Sequence, residues 1–252
     1  MSRSMRSCVL AAAVVAGVLL LAGCTRLPFA APELTHQVVL RVPAGTADAV
    51  AKQLAHRLDV AGITERSIGT DGDRVAVSYN PPKTGGKDVE VRDDLFQAPG
   101  EFTIRPVTAV GAKATASDDC TTGAEACAVT TEEHEVLQLG PVGVGDEDLA
   151  SAKAVDVQNQ WGVRIDFTDG GAAALAALSG KLACEEDPAL TRMAILLDGK
   201  LLAAPTVQLE CGQSLSTSVE ISGGFDRAKA EQNAALLGAP LPEGVQIVSS
   251  KP

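Results

Sequence analysis

Six cysteines and three histidines are the residues of this 252-residue chain best suited to chemistry. Thiolates attack electrophiles, bind metals or pair with another thiol. The cysteines are Cys8, Cys24, Cys120, Cys127, Cys184 and Cys211; the histidines are His36, His56 and His134. Cys120, Cys127 and His134 come nearest to a metal pattern. Their Cys-x6-Cys-x6-His spacing matches no common zinc motif, and no metal is expected. Gly-x-Ser-x-Gly, His-Glu-x-x-His, the phosphate-binding P-loop and Gly-x-Gly-x-x-Gly are all absent from the sequence. The motifs therefore support neither catalysis nor a cofactor, and the expectation is that the protein is not an enzyme. Asp198-Gly199 reads as a tight turn rather than an acid catalyst. Ser222-Gly223-Gly224 reads as a strand-to-helix turn rather than an anion site. Asp118, Asp119, Glu125, Glu132, Glu133 and Glu135 crowd one region without EF-hand spacing. They read as a solvated acidic loop.

Cys24 has a different setting. Arg3 and Arg6 precede an uncharged run over residues 9–21. A bilayer span needs about 20 apolar residues, so this run has the length of a signal-peptide core. It ends in Leu21-Ala22-Gly23-Cys24, which resembles the lipobox of bacterial lipoproteins. That resemblance implies a diacylglyceryl thioether on Cys24 and cleavage just before it. Each buried methylene of such an anchor contributes about 0.8 kcal/mol. Residues 1–23 are thus expected to be a signal peptide and 24–35 a tether. The rest is expected on the outer face of the cytoplasmic membrane, held by lipid. Past Cys24 the longest apolar run, 172–178, is far too short to span a bilayer. Outside the cytoplasm disulfides are the default. Cys120, Cys127, Cys184 and Cys211 allow three pairings. Cys120 with Cys127 and Cys184 with Cys211 is the expected one, because each bond then closes within one loop or one folding unit.

Composition narrows the function classes. Hydrophobic residues make up 46% of the chain, enough for a packed core. The formal net charge of -11 repels phosphate backbones. Five Phe, one Tyr and one Trp are too few to build a base-stacking groove. Nucleic-acid binding is therefore not expected.

These residues need elements to hold them. Residues 36–42 read as a strand. Thr46 is a plausible N-cap for a helix whose apolar residues are Val50, Leu54, Leu58 and Ala61, ended by Gly62. Residues 74–79 and 101–107 read as further strands, giving a small base unit over 36–110. Residues 111–135 read as the acidic, disulfide-stapled loop. In residues 136–252 the pattern is cleaner. Strands are expected at 162–168, 193–197, 201–209, 217–221 and 245–248, with Asp198-Gly199 as a hairpin turn. Helices are expected at 170–182 and 226–237, the second closed by Gly238. The strand-helix-strand-strand-helix-strand order is that of a ferredoxin-like split βαβ unit. The fold class is α+β. Arg164 and Arg192 fall on strands and are expected in ion pairs; Glu185-Glu186-Asp187 is expected in a solvated loop.

The second half resembles the head of the first periplasmic domain of SecD, an accessory subunit of the bacterial protein-export machinery. The residues that carry this are Leu139-Gly140-Pro141, residues 163–168 with Gly171-Ala172, and Ala194-Ile195-Leu196-Leu197-Asp198-Gly199. Ala204-Pro205-Thr206-Val207, Ile221-Ser222-Gly223-Gly224-Phe225 and Leu237-Gly238-Ala239-Pro240-Leu241-Pro242 continue the series. The first half is similar to the base of the same domain through residues 53–63 (QLAHRLDVAGI), Gly72-Asp73-Arg74-Val75-Ala76-Val77 and Gly100-Glu101-Phe102-Thr103-Ile104-Arg105. The four later cysteines and the acidic loop fall outside the resemblance. SecD goes on into a membrane bundle that uses the proton gradient. This sequence ends at Pro252, so the pump activity is not expected here. The resemblance implies a lipid-anchored, non-enzymatic module that contacts translocated polypeptides or the export machinery. The alternative is an envelope assembly lipoprotein that reuses the fold without an export role.

Overall fold

The computed structural model describes residues 33–113, 127–130, 135–215 and 217–252. Cys8, Cys24, Cys120 and His134 lie outside the described residues. In chain order, β1 is His36–Arg41, α1 Ala47–Val60, β2 Arg66–Asp71, β3 Arg74–Tyr79, β4 Lys83–Thr84, β5 Lys87–Asp88 and α2 Asp94–Gln97. Next come β6 Phe102–Lys113, β7 Cys127–Val129, β8 Glu135–Leu139, a short 3-10 turn at Asp146–Asp148, β9 Leu149–Val157 and β10 Gln160–Phe167. The last elements are α3 Asp169–Leu182, β11 Met193–Leu197, β12 Lys200–Ala203, β13 Ser218–Phe225, α4 Arg227–Gly238 and β14 Gln246–Lys251.

The α+β class holds, and the ferredoxin-like unit is real, but it lies elsewhere than expected. The order β1-α1-β2-β3-α4-β14 folds as one sheet of strand order β14-β1-β3-β2, with each neighbouring pair antiparallel. That is the split βαβ arrangement, built from the two ends of the described chain. Everything from β4 to β13 is inserted between β3 and α4. Physically, β1 buries Val38 and Leu40 at 1% and 0% exposure and sits between two strands. β3 takes one edge of β1, and β14 closes the other.

The strands expected to form one head sheet are therefore divided. β10 joins a three-stranded sheet, β13-β10-β9, while β11 and β12 join a five-stranded one, β12-β11-β6-β8-β7. β14 leaves for the base. Boundaries at 110 and 136 consequently cut through continuous structure. β6 runs on to Lys113 and pairs with β11 on one side and β8 on the other. Leu34–Pro252 packs as a single compact unit. The expected loop over 111–135 contains strand residues as well, because β7 pairs with β8 and buries Ala128 beside Leu137.

Two elements explain how one core serves both parts. α4 is an Ala-rich helix packed between α1 and the β9-β10 ribbon. Ala230, Ala234, Ala235, Leu236 and Leu237 are buried, and the small alanine side chains let the layers on either side approach. β11 is buried along its whole length. The period of two along a strand sends Met193, Ile195 and Leu197 into the main core and Ala194 and Leu196 into a smaller one with Val107, Leu137 and Leu139. Thr46 does flank α1, but its hydroxyl donates to the Pro43 carbonyl at 2.7 Å instead of capping the helix.

Candidate functional site

The Asp198-Gly199 pair turns β11 into β12 with φ values of 51° and 72°. Two positive φ values in succession are the signature of a type I′ hairpin. The returning strand stops pairing at Ala203 and swings back along the start of β11. There the Met193 N–H donates to the Pro205 carbonyl at 3.0 Å and the Val207 N–H to the Thr191 carbonyl at 2.7 Å. Residues 208–215, the crossing segment, then lead away from β11 toward β13.

Between that crossing and β13 lies an open groove of about 340 Å³. Met193, Val207, Leu209, Leu215 and Val219 line it, with Glu220 among the lining residues. β13 is an edge strand whose sheet partner is β10. The Phe167 N–H donates to the Thr217 carbonyl at 3.1 Å. Hydrogen-bonded pairs alternate along an antiparallel ladder, and the register pairs Ile165 with Val219 and Val163 with Ile221. Residues 217, 219 and 221 therefore aim their backbone groups at β10. Ser218 and Glu220 aim theirs at the open side, where no strand among the described residues pairs with them. A groove of mixed apolar and polar lining, with Thr206 and Gln208 beside the apolar side chains, next to such backbone donors and acceptors can accept an extended segment as an added strand.

Cys184, at the end of α3, is disulfide-bonded to Cys211 in the crossing segment. Cys127 opens β7 and is also disulfide-bonded. His36 lies on β1 with its ring 5.3 Å from that of Tyr79, while His56 lies on α1. Among the described residues no group of three or more His, Cys, Asp or Glu is placed to hold a metal. Arg164 pairs with Asp166 at 3.2 Å and Glu220 at 3.8 Å, and Arg192 with Glu135 at 2.9 Å. Ser222-Gly223-Gly224 lies within β13, where Gly224 takes a φ of 66° just before α4.

Sequence reasoning missed Arg57. Its side chain is 0% exposed and donates only to backbone carbonyls. Nε reaches Ala239 at 2.6 Å, Nη1 reaches Leu95 at 3.2 Å and Ala98 at 2.8 Å, and Nη2 reaches Pro99 at 3.0 Å. One guanidinium thus ties α1 to the turn after α2 and to the turn after α4. Burial lowers its pKa to about 10, and the charges of Asp198 and Asp94 oppose that fall. It remains a cation at neutral pH. Gly100 closes the arrangement with a φ of 83°. A Cβ there would collide with the Leu236 carbonyl and lie 2.9 Å from Arg57 Nη2. The N–H groups of Gly100 and Glu101 both donate to Asp198 Oδ1, at 2.8 and 3.0 Å. The hairpin turn therefore also pins the entry to β6. The available signal was position: Arg57 lies seven residues after Val50 and three after Leu54, on the apolar stripe of α1.

Residues 125–242 match the family model for the P1 head subdomain of SecDF. Over those residues the chain is similar to the head of the SecD periplasmic first domain. Protein translocase subunit SecD of Streptomyces coelicolor is 34% identical over 103 residues, which cover 39% of the SecD-like chain and 17% of that relative. A crystal structure of SecDF in a super-membrane-facing form superposes with a TM-score of 0.56 at 18% identity, covering 87% of the SecD-like chain and 31% of SecDF. A second structure, of the membrane component SecDF that enhances protein export, gives a TM-score of 0.50 at 20% identity. It covers 84% of the SecD-like chain and 98% of that structure. At these identities the structural likeness is one of fold. It spans both the inserted part and the base. No described helix of the SecD-like chain is long and apolar enough to cross a membrane.

Proposed function

We propose that this chain is a lipid-anchored, extracytoplasmic module of protein export, without enzymatic activity, that holds extended polypeptide in the groove beside β13. The observation that carries this reading is the pair of outward-facing backbone positions, Ser218 and Glu220, beside an open groove of mixed lining. Backbone pairing is indifferent to side-chain sequence, which suits a module that meets many different exported chains. The relatives that share its fold support an export setting. The resemblance of Leu21-Ala22-Gly23-Cys24 to a lipobox supports attachment to the membrane. The excess of acidic over basic residues, with Glu220 in the groove, favours clients with basic stretches, and salt weakens that part of the binding.

The test uses the purified full-length protein in detergent and an unfolded secretory protein as probe. Binding at micromolar affinity or weaker, near -8 kcal/mol, is expected without nucleotide or metal. Glu220→Pro removes an outward N–H and should reduce binding, because proline cannot donate to an added strand. Glu220→Gln should keep neutral clients and weaken basic ones. Equal binding by wild type and Glu220→Pro would sink the edge-strand reading. Capture of one folded envelope protein and no unfolded client would favour an assembly role.

A further inference from the structure

We propose that the Cys184–Cys211 disulfide is a redox latch on the groove: intact, it holds the wall that carries Leu209 and Leu215; opened, it releases that wall and the groove loses its ligand. The inference rests on the peptide-binding reading above and adds a control to it.

The wall is the crossing segment between Val207 and β13. Its two ends are fixed by backbone hydrogen bonds, Val207 N–H to the Thr191 carbonyl and Phe167 N–H to the Thr217 carbonyl. Between them the segment has little of its own. The Gln213 N–H donates to the Glu210 carbonyl at 2.9 Å, and the Glu210 N–H to Gln213 Oε1 at 3.2 Å, both within the segment. Among described residues 208–215, one disulfide and one hydrogen bond reach out to another element, and both end on α3 or its last turn. One is the disulfide from Cys211 to Cys184. The other is the Leu215 N–H, which donates to Ser179 Oγ at 2.9 Å. Ser179 is buried, and its hydroxyl is itself committed as a donor to the Leu175 carbonyl at 2.8 Å. The segment also runs past Gly180 of α3, where a Cβ would sit 3.6 Å from the Gln213 carbonyl oxygen. With the disulfide open, the hydrogen bond from Leu215 and the partly buried packing of Leu209 and Leu215 against the core are left to hold a segment that has no strand partner among the described residues. Leu209 and Leu215 flank the bond and both line the groove.

The bond is also reachable. Cys184 and Cys211 are both exposed, and exposed disulfides are the ones that reducing partners open. The reductant is a dithiol. Its thiolate attacks one sulfur, the S–S bond breaks, and the second thiol resolves the mixed disulfide. Two electrons pass to the protein, each cysteine sulfur gains a proton, and the dithiol leaves as its own disulfide. Re-oxidation reverses the exchange.

The experiment compares oxidised full-length protein, dithiothreitol-reduced protein and the Cys184→Ser/Cys211→Ser variant, using amide hydrogen exchange and binding of an unfolded secretory protein. Reduction should raise exchange across residues 208–215 by about tenfold or more, leave Val163 and Ile165 of β10 protected, and weaken binding at least as strongly as Glu220→Pro. The double variant should behave like the reduced protein. Unchanged exchange over 208–215 would overturn the latch. So would equal binding by the two redox forms, or an equal loss of protection in β10, which would make the bond a general brace. If the oxidised protein fails to bind while exchange at 208–215 still follows the redox state, the groove reading fails and the latch on the wall stands.

Discussion

Replacing Arg57 is the most informative change to the fold, because four backbone carbonyls, from α2, the turn after it and the turn after α4, depend on one side chain. Hydrogen bonds to a charged donor contribute about 1.5–3 kcal/mol each. Removing the donor also leaves buried acceptors without partners. Against this, the folded state no longer bears the cost of desolvating a guanidinium, several kcal/mol on its own. That cost is visible in the lowering of the Arg57 pKa to about 10. The balance for Arg57→Met, which keeps much of the stem's volume, is a loss of about 3–5 kcal/mol. For a domain of this size each kcal/mol lowers Tm by about 2–4 °C, so a fall of about 6–20 °C is expected. Arg57→Lys keeps the charge but has one nitrogen in place of three, and it should recover less than half of the loss. The assay is thermal and urea unfolding followed by circular dichroism, with amide exchange over 94–101 as the local readout. A Tm within about 2 °C of wild type for Arg57→Met would refute the claim that this guanidinium joins α1 to the turns after α2 and α4.

Three further outcomes are expected. Cys24→Ser should block lipid attachment and processing, and a mutant with unchanged mass and membrane fractionation would rule out the lipobox. The processed, oxidised protein should show no free thiol under denaturing conditions, with Cys120 bound to Cys127; two reactive thiols would reject that pairing. Tyr79 is the one tyrosine of the chain, and its burial, aided by the charge of Asp93, raises its pKa above 10.0. Its tyrosinate absorbance should therefore appear later on alkaline titration in the folded protein than in urea. The stability contribution of its neutral form is full below the unfolded value and is lost as pH rises through the folded one. Coincident titrations would contradict the burial of its hydroxyl.

Much of the local structure was legible because its signals are local. β1, β3, β10, β11, α1, α3 and α4 follow from hydrophobic spacing and turn residues, and the Asp198-Gly199 hairpin from two residues alone. The misses have physical causes. β9 offers small residues, Ala152 and Ala154, on its core side, too weak a pattern to separate from a loop. β2 carries only Ile68 as a large apolar residue, and α2 is a single turn. Strand grouping was the larger error. The βαββαβ order occurs in the second half of the sequence, yet which strands share a sheet is set by contacts between distant segments. β14 serves β1 from the far end of the chain, and no local pattern records that. The candidate groove was invisible for the same reason: its lining comes from β11, residues 205–207, the crossing segment and β13. Arg57 was readable only as an oddity on an apolar stripe, since its carbonyl partners lie far from it in the sequence.

The central claim is that the open edge of β13 contacts polypeptide during export. The most direct measurement is site-specific photo-crosslinking in the native host from position 220, with position 68 on β2 of the base sheet as the control. The account predicts adducts with secretory chains at 220 that grow when export is slowed, and none at 68. Equal labelling at both positions, or no secretory chain at 220, would contradict it.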